Sequence, residues 1–277
     1  MNPNEPRAKR GGAKARNVSL EEFKEKNGYK IENYWLPRVT SITNVVFKPG
    51  LLRYYAQQPN FMTAQETLNH AADWGTATHE AVEKFLIEEE YKVDPIIMPS
   101  IQAFKKWQKE YRAKILDIHS DIEKRVYNLE DRYAGTLDIL VEIKGVLGVL
   151  DIKTGSGIWD EYSLQLAAYM NAYNKSVPSK RMAKTRWILR LDQFEECKSC
   201  GAKKRVKGGK VSIRGGKPNC YHKFSPARGE FEFKELKDFN CDIDGFIGAK
   251  RLWEWCNKSH LKRIEDYPKR KIIQSLL

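Results

Sequence analysis

The clearest hydrophobic pattern in this chain is a pair of apolar runs, at residues 137–143 and 146–152, separated only by Lys144 and Gly145. Two strand-like runs joined by two residues predict a β-hairpin, and the turn fixes its register. Most positions on both faces of the two runs are apolar. We therefore expect the hairpin to lie in the centre of a sheet that is covered on both sides.

The predicted register places two carboxylates opposite each other. Partners in this hairpin have residue numbers that sum to 289, so Asp138 faces Asp151, with Cβ atoms about 4.5–5.5 Å apart. Lys153 shares their face because strand side chains alternate. Facing carboxylates repel unless a cation lies between them or one carboxyl keeps its proton. A bound Mg²⁺ or Mn²⁺ would resolve the conflict; the alternative is an ordinary buried hairpin with acids at its strand ends.

The remaining sequence alternates between helical and strand-like periods. The predicted helices lie around residues 51–55, from about Thr76 onward, and at 99–116, 161–173 and 243–258. The predicted strands lie within 29–47 and at 122–128, 187–191 and 231–236. Helices and strands mixed in this way indicate an α/β fold.

These elements divide the chain into four parts. Residues 1–18 have almost no large apolar side chains and are expected to be a disordered basic tail. Residues 19–191 form the predicted core, residues 192–229 a basic Cys/His insertion, and residues 230–277 a strand and helix that complete the core.

The composition indicates a cytoplasmic protein that contacts a polyanion. The net charge is +13, and most of it comes from residues 1–16, with five cations and one acid, and residues 197–222, with eight cations and no acid. Concentrated basic segments are typical of nucleic-acid binding, although mobile solubilising charge is the alternative. The sequence has no apolar stretch of membrane-spanning length, no signal peptide and no phosphate-loop motif. Five cysteines favour a reducing compartment over a disulfide framework.

Four short motifs follow one another along the chain. They are Gly75-Thr-Ala-Thr-His79, Gly135-Thr-Leu-Asp138, Asp151-Ile-Lys153 and Gln165-Leu-Ala-Ala-Tyr169. Their order resembles the RecB-like branch of the PD-(D/E)XK nucleases, whose pattern is G-x-x-x-H, G-x-x-D, D-x-K and Q-x-x-x-Y. The resemblance spans about residues 30–195, and the segment from Leu36 also looks like the start of small, often phage-borne members.

The resemblance implies a restriction-endonuclease-like core with a mixed central sheet flanked by helices. It also implies roles: His79, Asp138, Asp151 and the Ile152 carbonyl would bind Mg²⁺ or Mn²⁺, and Lys153 would contact the attacking water or the scissile phosphate. Gln165 and Tyr169 would buttress the site and touch the nucleic-acid backbone. Glu123 and Glu83 are weaker candidates. Iron–sulfur members have a cysteine before the His motif; because this chain has none before Cys197, no cluster is expected.

The implied activity is divalent-metal-dependent hydrolysis of DNA in recombination, repair or replication, in a bacterial or phage-infected cell. Related enzymes often act as exonucleases on single strands or ends. A structure-specific or nicking endonuclease with the same site is one alternative. The other is a non-catalytic DNA-binding adaptor in a recombination complex. A helicase, annealing or replication partner is compatible with each of these.

The insertion carries a second group of metal-ligand residues. Cys197 and Cys200 form a C-x-x-C turn, and Cys220 and His222 follow at alternating positions that would share a strand face. Four such ligands fit a structural Zn²⁺. Free thiols in a basic loop, or Cys241 or Cys256 as ligands, are the alternatives.

A zinc-pinned insertion between two strands is expected to project from the core as a finger. Its cations would contact DNA phosphates without reading sequence, and Tyr221 could stack on an unpaired base. The predicted DNA contacts are Lys203, Lys204, Arg205, Lys207, Lys210, Arg214 and Lys217.

Overall fold

A computed structural model describes residues 18–87, 93–207 and 210–269, with the side chain of Lys210 excepted. The predicted N-terminal tail lies outside the described residues except for Val18. The helices are α1 (Leu20–Asn27), α2 (Val39–Thr43), α3 (Pro49–Ala56), α4 (Phe61–Leu86), α5 (Met98–Tyr111), α6 (Glu161–Ser176), α7 (Phe239–Cys256), α8 (Lys258–Leu261) and a short 3₁₀ helix (Ser179–Arg181). The strands are β1 (Gly28–Ile31), β2 (Tyr34–Pro37), β3 (Ile122–Asn128), β4 (Tyr133–Ile143), β5 (Val146–Lys153), β6 (Thr185–Glu196), β7 (Lys203–Lys207), β8 (Lys210–Arg214) and β9 (Arg228–Leu236).

The described residues form a mixed α/β fold around a seven-stranded sheet. Its strands follow the order β3, β4, β5, β6, β7 and β8, and β9 also pairs with β6. β5 and β6 are parallel and connected through α6, whereas the other pairs are antiparallel. The prediction of a mixed central sheet flanked by helices is therefore confirmed.

The register predicted for the central hairpin is confirmed from its turn to the middle of its strands. Ile143 pairs with Val146 and Ile139 pairs with Leu150. Lys144 and Gly145 have φ angles of 52° and 78°, the positive values that a tight type I′ turn requires.

The hairpin is buried on both faces, as its apolar runs predict. Leu140 and Val149 belong to a core formed with α2, α6 and α7 on one side of the sheet. Ile139 and Leu150 belong to a second core, formed with α4 and α5 on the other side. Packed apolar side chains therefore cover the hairpin from both sides.

Several predicted boundaries are wrong. α4 begins at Phe61 and not near Thr76, because Asn60 caps it by accepting a hydrogen bond from the Thr63 amide at 2.9 Å. α5 ends at Tyr111 and not at residue 116, because the next residue, Arg112, takes a left-handed φ of 50°. β6 continues past residue 191 to Glu196, and the β7–β8 hairpin was not predicted.

No helix among the described residues combines the length and the apolar character that a bilayer crossing requires.

Candidate functional site

The motif residues gather where the central hairpin opens. The paired backbone positions of β4 and β5 end at Ile139 and Leu150, so Asp138 and Asp151 lie just beyond the ladder. Asp138 Oδ2 accepts a hydrogen bond from the Ile152 amide at 2.7 Å. The carboxylate thus serves as the acceptor for a backbone amide at the point where the paired positions end.

Asp151 forms the buried part of the site. Only 1% of it is exposed, and its Oδ1 accepts a hydrogen bond from Gln165 Nε2 at 3.2 Å. Lys153 Nζ lies 2.6 Å from Asp151 Oδ2, so the ammonium group is the ion-pair partner of this buried oxygen. A buried carboxylate that faces a cation is of the type that also serves as a ligand for a hard metal ion.

Gln165 holds the two charged side chains together. Its Oε1 lies 3.4 Å from Lys153 Nζ, which donates to it, while its Nε2 also donates to the Tyr169 hydroxyl at 3.0 Å. Gln165 and Tyr169 are one turn apart on α6, and Tyr169 is buried. The amide of Gln165 therefore orients Asp151 and Lys153 from a fixed helix face.

A second half of the site comes from α4 and β3. One ligand atom each from His79, Glu123 and Asp138 lies within 4.8 Å of the others, an arrangement that could hold a metal ion. His79 Nδ1 is 3.6 Å from Asp138 Oδ2. Glu123 has a φ of 46°, a backbone kink that sequence periodicity does not show. Asp151 is not a member of this three-residue group.

The pKa values of two of the acids are raised first by burial and then by neighbouring carboxylates. Burial, followed by the Asp138 carboxylate, raises the pKa of Glu123 to about 7, although much of the residue's surface is exposed. Burial also raises the pKa of Asp151, against the pull of Lys153. For Lys153, burial lowers the pKa, but the carboxylates of Asp151 and Asp138 outweigh it and the net shift is upward. Clustered acids of this kind favour a cation in the site.

The two motif glycines permit close approaches that build the site. A Cβ at Gly135 would lie 2.3 Å from Cε1 of the Tyr169 ring. A Cβ at Gly75 would lie 3.2 Å from Thr154 Oγ1. Gly135 thus lets Tyr169 pack directly on β4, and Gly75 lets α4 approach the segment that follows Lys153.

Replacing Gly135 by alanine is expected to destabilise the protein by about 1–3 kcal/mol, because the new methyl group overlaps a buried aromatic ring. The measurement is urea unfolding at equilibrium. The matched control is Gly248→Ala on α7, where a Cβ would meet nothing within 4 Å; it should be neutral or stabilising by up to about 1 kcal/mol. Equal stability of the two variants would contradict the packing of Tyr169 on Gly135.

The four predicted cysteine and histidine ligands converge. Cys197, Cys200, Cys220 and His222 place one ligand atom each within 4.8 Å of the others, so they could hold a metal ion such as zinc. The Cys197 and Cys220 sulfurs are 3.8 Å apart, and Cys200 Sγ is 3.4 Å from His222 Nδ1. The edges of a tetrahedral zinc site would be about 3.8 Å between sulfurs and about 3.6 Å between sulfur and nitrogen.

The rival ligands do not join this group, since Cys241 and Cys256 are exposed on α7. The prediction that Cys220 and His222 share a strand is wrong, because residues 220–222 are irregular. They reach the C-x-x-C turn through the bridge that pairs Cys197 with Phe224.

The basic insertion is less free than its sequence suggests. Lys203 pairs with Glu230 at 3.2 Å and Lys204 with Glu195 at 2.9 Å. Arg205 and Lys207 both reach Asp192, which was not among the predicted site residues. Ion pairs between residues so far apart in sequence produce no periodic pattern from which they could be predicted.

Among the other predicted DNA contacts, Arg214 and Lys217 are exposed, and the Lys210 side chain lies outside the described residues. Tyr221 is 95% exposed and so remains open to a ligand. Two exposed cations of the insertion, Arg214 and Lys217, therefore lie at the end of β8 and in the turn after it.

Comparison with known proteins identifies no family for this chain. No family profile and no curated protein matches it. Among solved structures, it is similar to one titled "Crystal structure of SSO0001", with a TM-score of 0.31, 13% sequence identity, and coverage of 86% of this chain and 82% of that one.

Proposed function

We propose that this protein is a divalent-metal-dependent DNA nuclease of the PD-(D/E)XK type, and more specifically an exonuclease acting on single strands or ends. The observation that carries the proposal is the convergence of Asp138, Asp151 and Lys153 beyond the end of the hairpin ladder, with His79 and Glu123 beside them. Clustered acids next to a lysine suit phosphodiester hydrolysis, which needs a bound cation and a fixed positive charge.

The residues of the site divide the work. A Mg²⁺ or Mn²⁺ ion held by His79, Asp138 and Asp151 would supply charge neutralisation and an activated water. Glu123 is a further candidate ligand, because it lies within the same group as His79 and Asp138. Lys153 would place its charge on the phosphate.

The buttress residues would prepare this geometry before DNA binds. Gln165 contacts both Asp151 and Lys153 and is itself hydrogen-bonded to Tyr169. A helix-borne amide that holds a carboxylate and an ammonium group lowers the reorganisation needed during the reaction.

For the insertion we propose a structural Zn²⁺ bound by Cys197, Cys200, Cys220 and His222. The sulfur–sulfur and sulfur–nitrogen separations support it, and a closed set of four protein ligands is typical of structural sites. Thiols kept for a metal also support a reducing compartment, such as the cytoplasm of a bacterial or phage-infected cell.

The test is a cleavage assay on end-labelled linear single-stranded, linear duplex and closed circular DNA, with Mg²⁺, Mn²⁺ or EDTA. We expect metal-dependent loss of the linear substrates only. Lys153→Ala should lower the rate on the order of 10²–10³-fold, as for loss of one electrostatic contact in a transition state. Circular dichroism checks that the variant is folded.

The other outcomes separate the remaining candidates. Cut circles would replace the exonuclease by a structure-specific or nicking endonuclease. DNA binding without cleavage in any metal would favour the adaptor, whose support is the exposed cations Arg214 and Lys217 of the insertion. Equal cleavage by Lys153→Ala and the wild type would show that the active site is wrongly assigned.

A further inference from the structure

Asp192 is a buried carboxylate that forms ion pairs with three cations. Its side chain is 3% exposed. Arg205 donates three hydrogen bonds to it, from Nε to Oδ1 at 3.2 Å and to Oδ2 at 3.0 Å, and from Nη2 to Oδ2 at 2.8 Å. Arg190 Nη1 lies 3.2 Å from Oδ2, and Lys207 Nζ lies 3.4 Å from Oδ1. Arg190 and Asp192 belong to β6, whereas Arg205 and Lys207 belong to β7 of the insertion.

Two of these cations also donate hydrogen bonds to the segment that follows the candidate catalytic lysine. Lys207 Nζ donates a hydrogen bond to the Thr154 carbonyl. Arg190 Nη1 donates to the next carbonyl, that of Gly155, at 3.5 Å. From the other side, Gly75 of α4 lies against the Thr154 hydroxyl. The segment is thus held between the helix that carries His79 and the insertion.

We propose that Asp192 is a positioning residue that couples the Cys/His insertion to Lys153, so that the insertion braces the active site in addition to any contact with DNA. The inference rests on the proposed nuclease function. A buried carboxylate fixes Arg205 and Lys207 beside Arg190, which Glu232 also holds through a contact of 2.8 Å. Without the Asp192 charge the three cations would repel one another, and Lys207 would leave the Thr154 carbonyl. Lys153 directly precedes Thr154, so its ammonium group would lose its fixed position beside Asp151.

The first test compares Asp192→Asn with Glu195→Gln. Both changes remove a β6 carboxylate that pairs with a β7 cation, but Glu195 contacts Lys204, which does not reach the segment after Lys153. We expect Asp192→Asn to lower kcat on the order of 10-fold or more, with a smaller change in KM, because misplaced catalytic groups cost rate more than binding. Glu195→Gln should keep the wild-type kcat. Both variants should retain wild-type zinc content.

A second readout does not depend on activity. Trp159 lies between Lys153 and α6 and is 47% exposed, so its signal in ¹⁹F NMR of the 5-fluorotryptophan protein reports on this segment. The signal is assigned through Trp159→Phe. We expect it to shift or broaden in Asp192→Asn and to be unchanged in Glu195→Gln. The two proposals can fail separately. If the Trp159 signal is disturbed in Asp192→Asn but the wild-type protein cuts no DNA, the nuclease function is refuted and the positioning role of Asp192 is retained.

Lys207→Met is the second variant, in case Asp192→Asn does not fold. It removes the contact with the Thr154 carbonyl and leaves the Asp192–Arg205 pair in place. The expected results are the same lower kcat and the same change at Trp159. Wild-type kcat together with an unchanged Trp159 signal, in a folded variant with its zinc bound, would overturn the inference.

Discussion

Asp151→Asn is expected to lower metal-dependent DNA cleavage on the order of 10³-fold or more, the scale of loss for a residue on which a whole catalytic group depends. Asparagine keeps the shape of the side chain and its contact with Gln165 but removes the charge. It therefore takes away the proposed metal ligand and the charged partner that lies 2.6 Å from Lys153. A site built from one fewer carboxylate holds a hard cation poorly.

DNA binding by the Asp151→Asn variant should stay close to that of the wild type, because phosphate contacts are expected from cations elsewhere on the protein. The measurements are single-turnover cleavage in Mg²⁺ or Mn²⁺, and fluorescence anisotropy of a labelled oligonucleotide in EDTA. Asp244→Asn, an exposed carboxylate on α7, is the control with the same change of charge. Retained cleavage, or binding lost as completely as cleavage, would show that Asp151 does not have the assigned role.

The part of this site that the sequence predicts is the part set by short-range periodicity. Two apolar runs around Lys144 and Gly145 fix the register of the hairpin, and that register brings Asp138, Asp151 and Lys153 to one end of it. The spacing of Gln165 and Tyr169 similarly follows from one helical turn. In each case the physical constraint acts within a few residues, so the local sequence pattern is enough to predict it.

Contacts between distant segments could not be predicted in this way. Glu123 enters the group with His79 through a backbone kink of β3, and a strand pattern alone cannot show such a kink. Asp192 meets Arg205 and Lys207 only because β7 pairs with the end of β6. A basic segment looks unpaired in sequence when its acids lie on a neighbouring strand. The sequence therefore predicts a free finger, whereas four of its cations pair with acids on β6 and β9.

Replacing Cys197 and Cys200 together by serine is expected to remove one equivalent of zinc and to unfold the insertion. Binding energies of structural zinc sites are large, about 10–16 kcal/mol in isolated zinc-finger peptides, and that energy stabilises the fold around the ion. Cys197 is buried at the end of β6 and its amide bonds to the Ala202 carbonyl at 2.8 Å. Its loss should therefore release β7, which begins at Lys203.

The same double variant should also lose cleavage activity if the insertion braces the segment after Lys153, since released β7 cannot hold Arg205 and Lys207 at Asp192. Zinc content by inductively coupled plasma mass spectrometry, thermal unfolding and kcat are measured on one preparation. The control replaces Cys241 and Cys256, both exposed on α7, and should match the wild type in all three. Unchanged zinc would mean that the ligands are misassigned. Lost zinc with full kcat would confine the insertion to DNA contacts, because the catalytic segment would then keep its geometry without it.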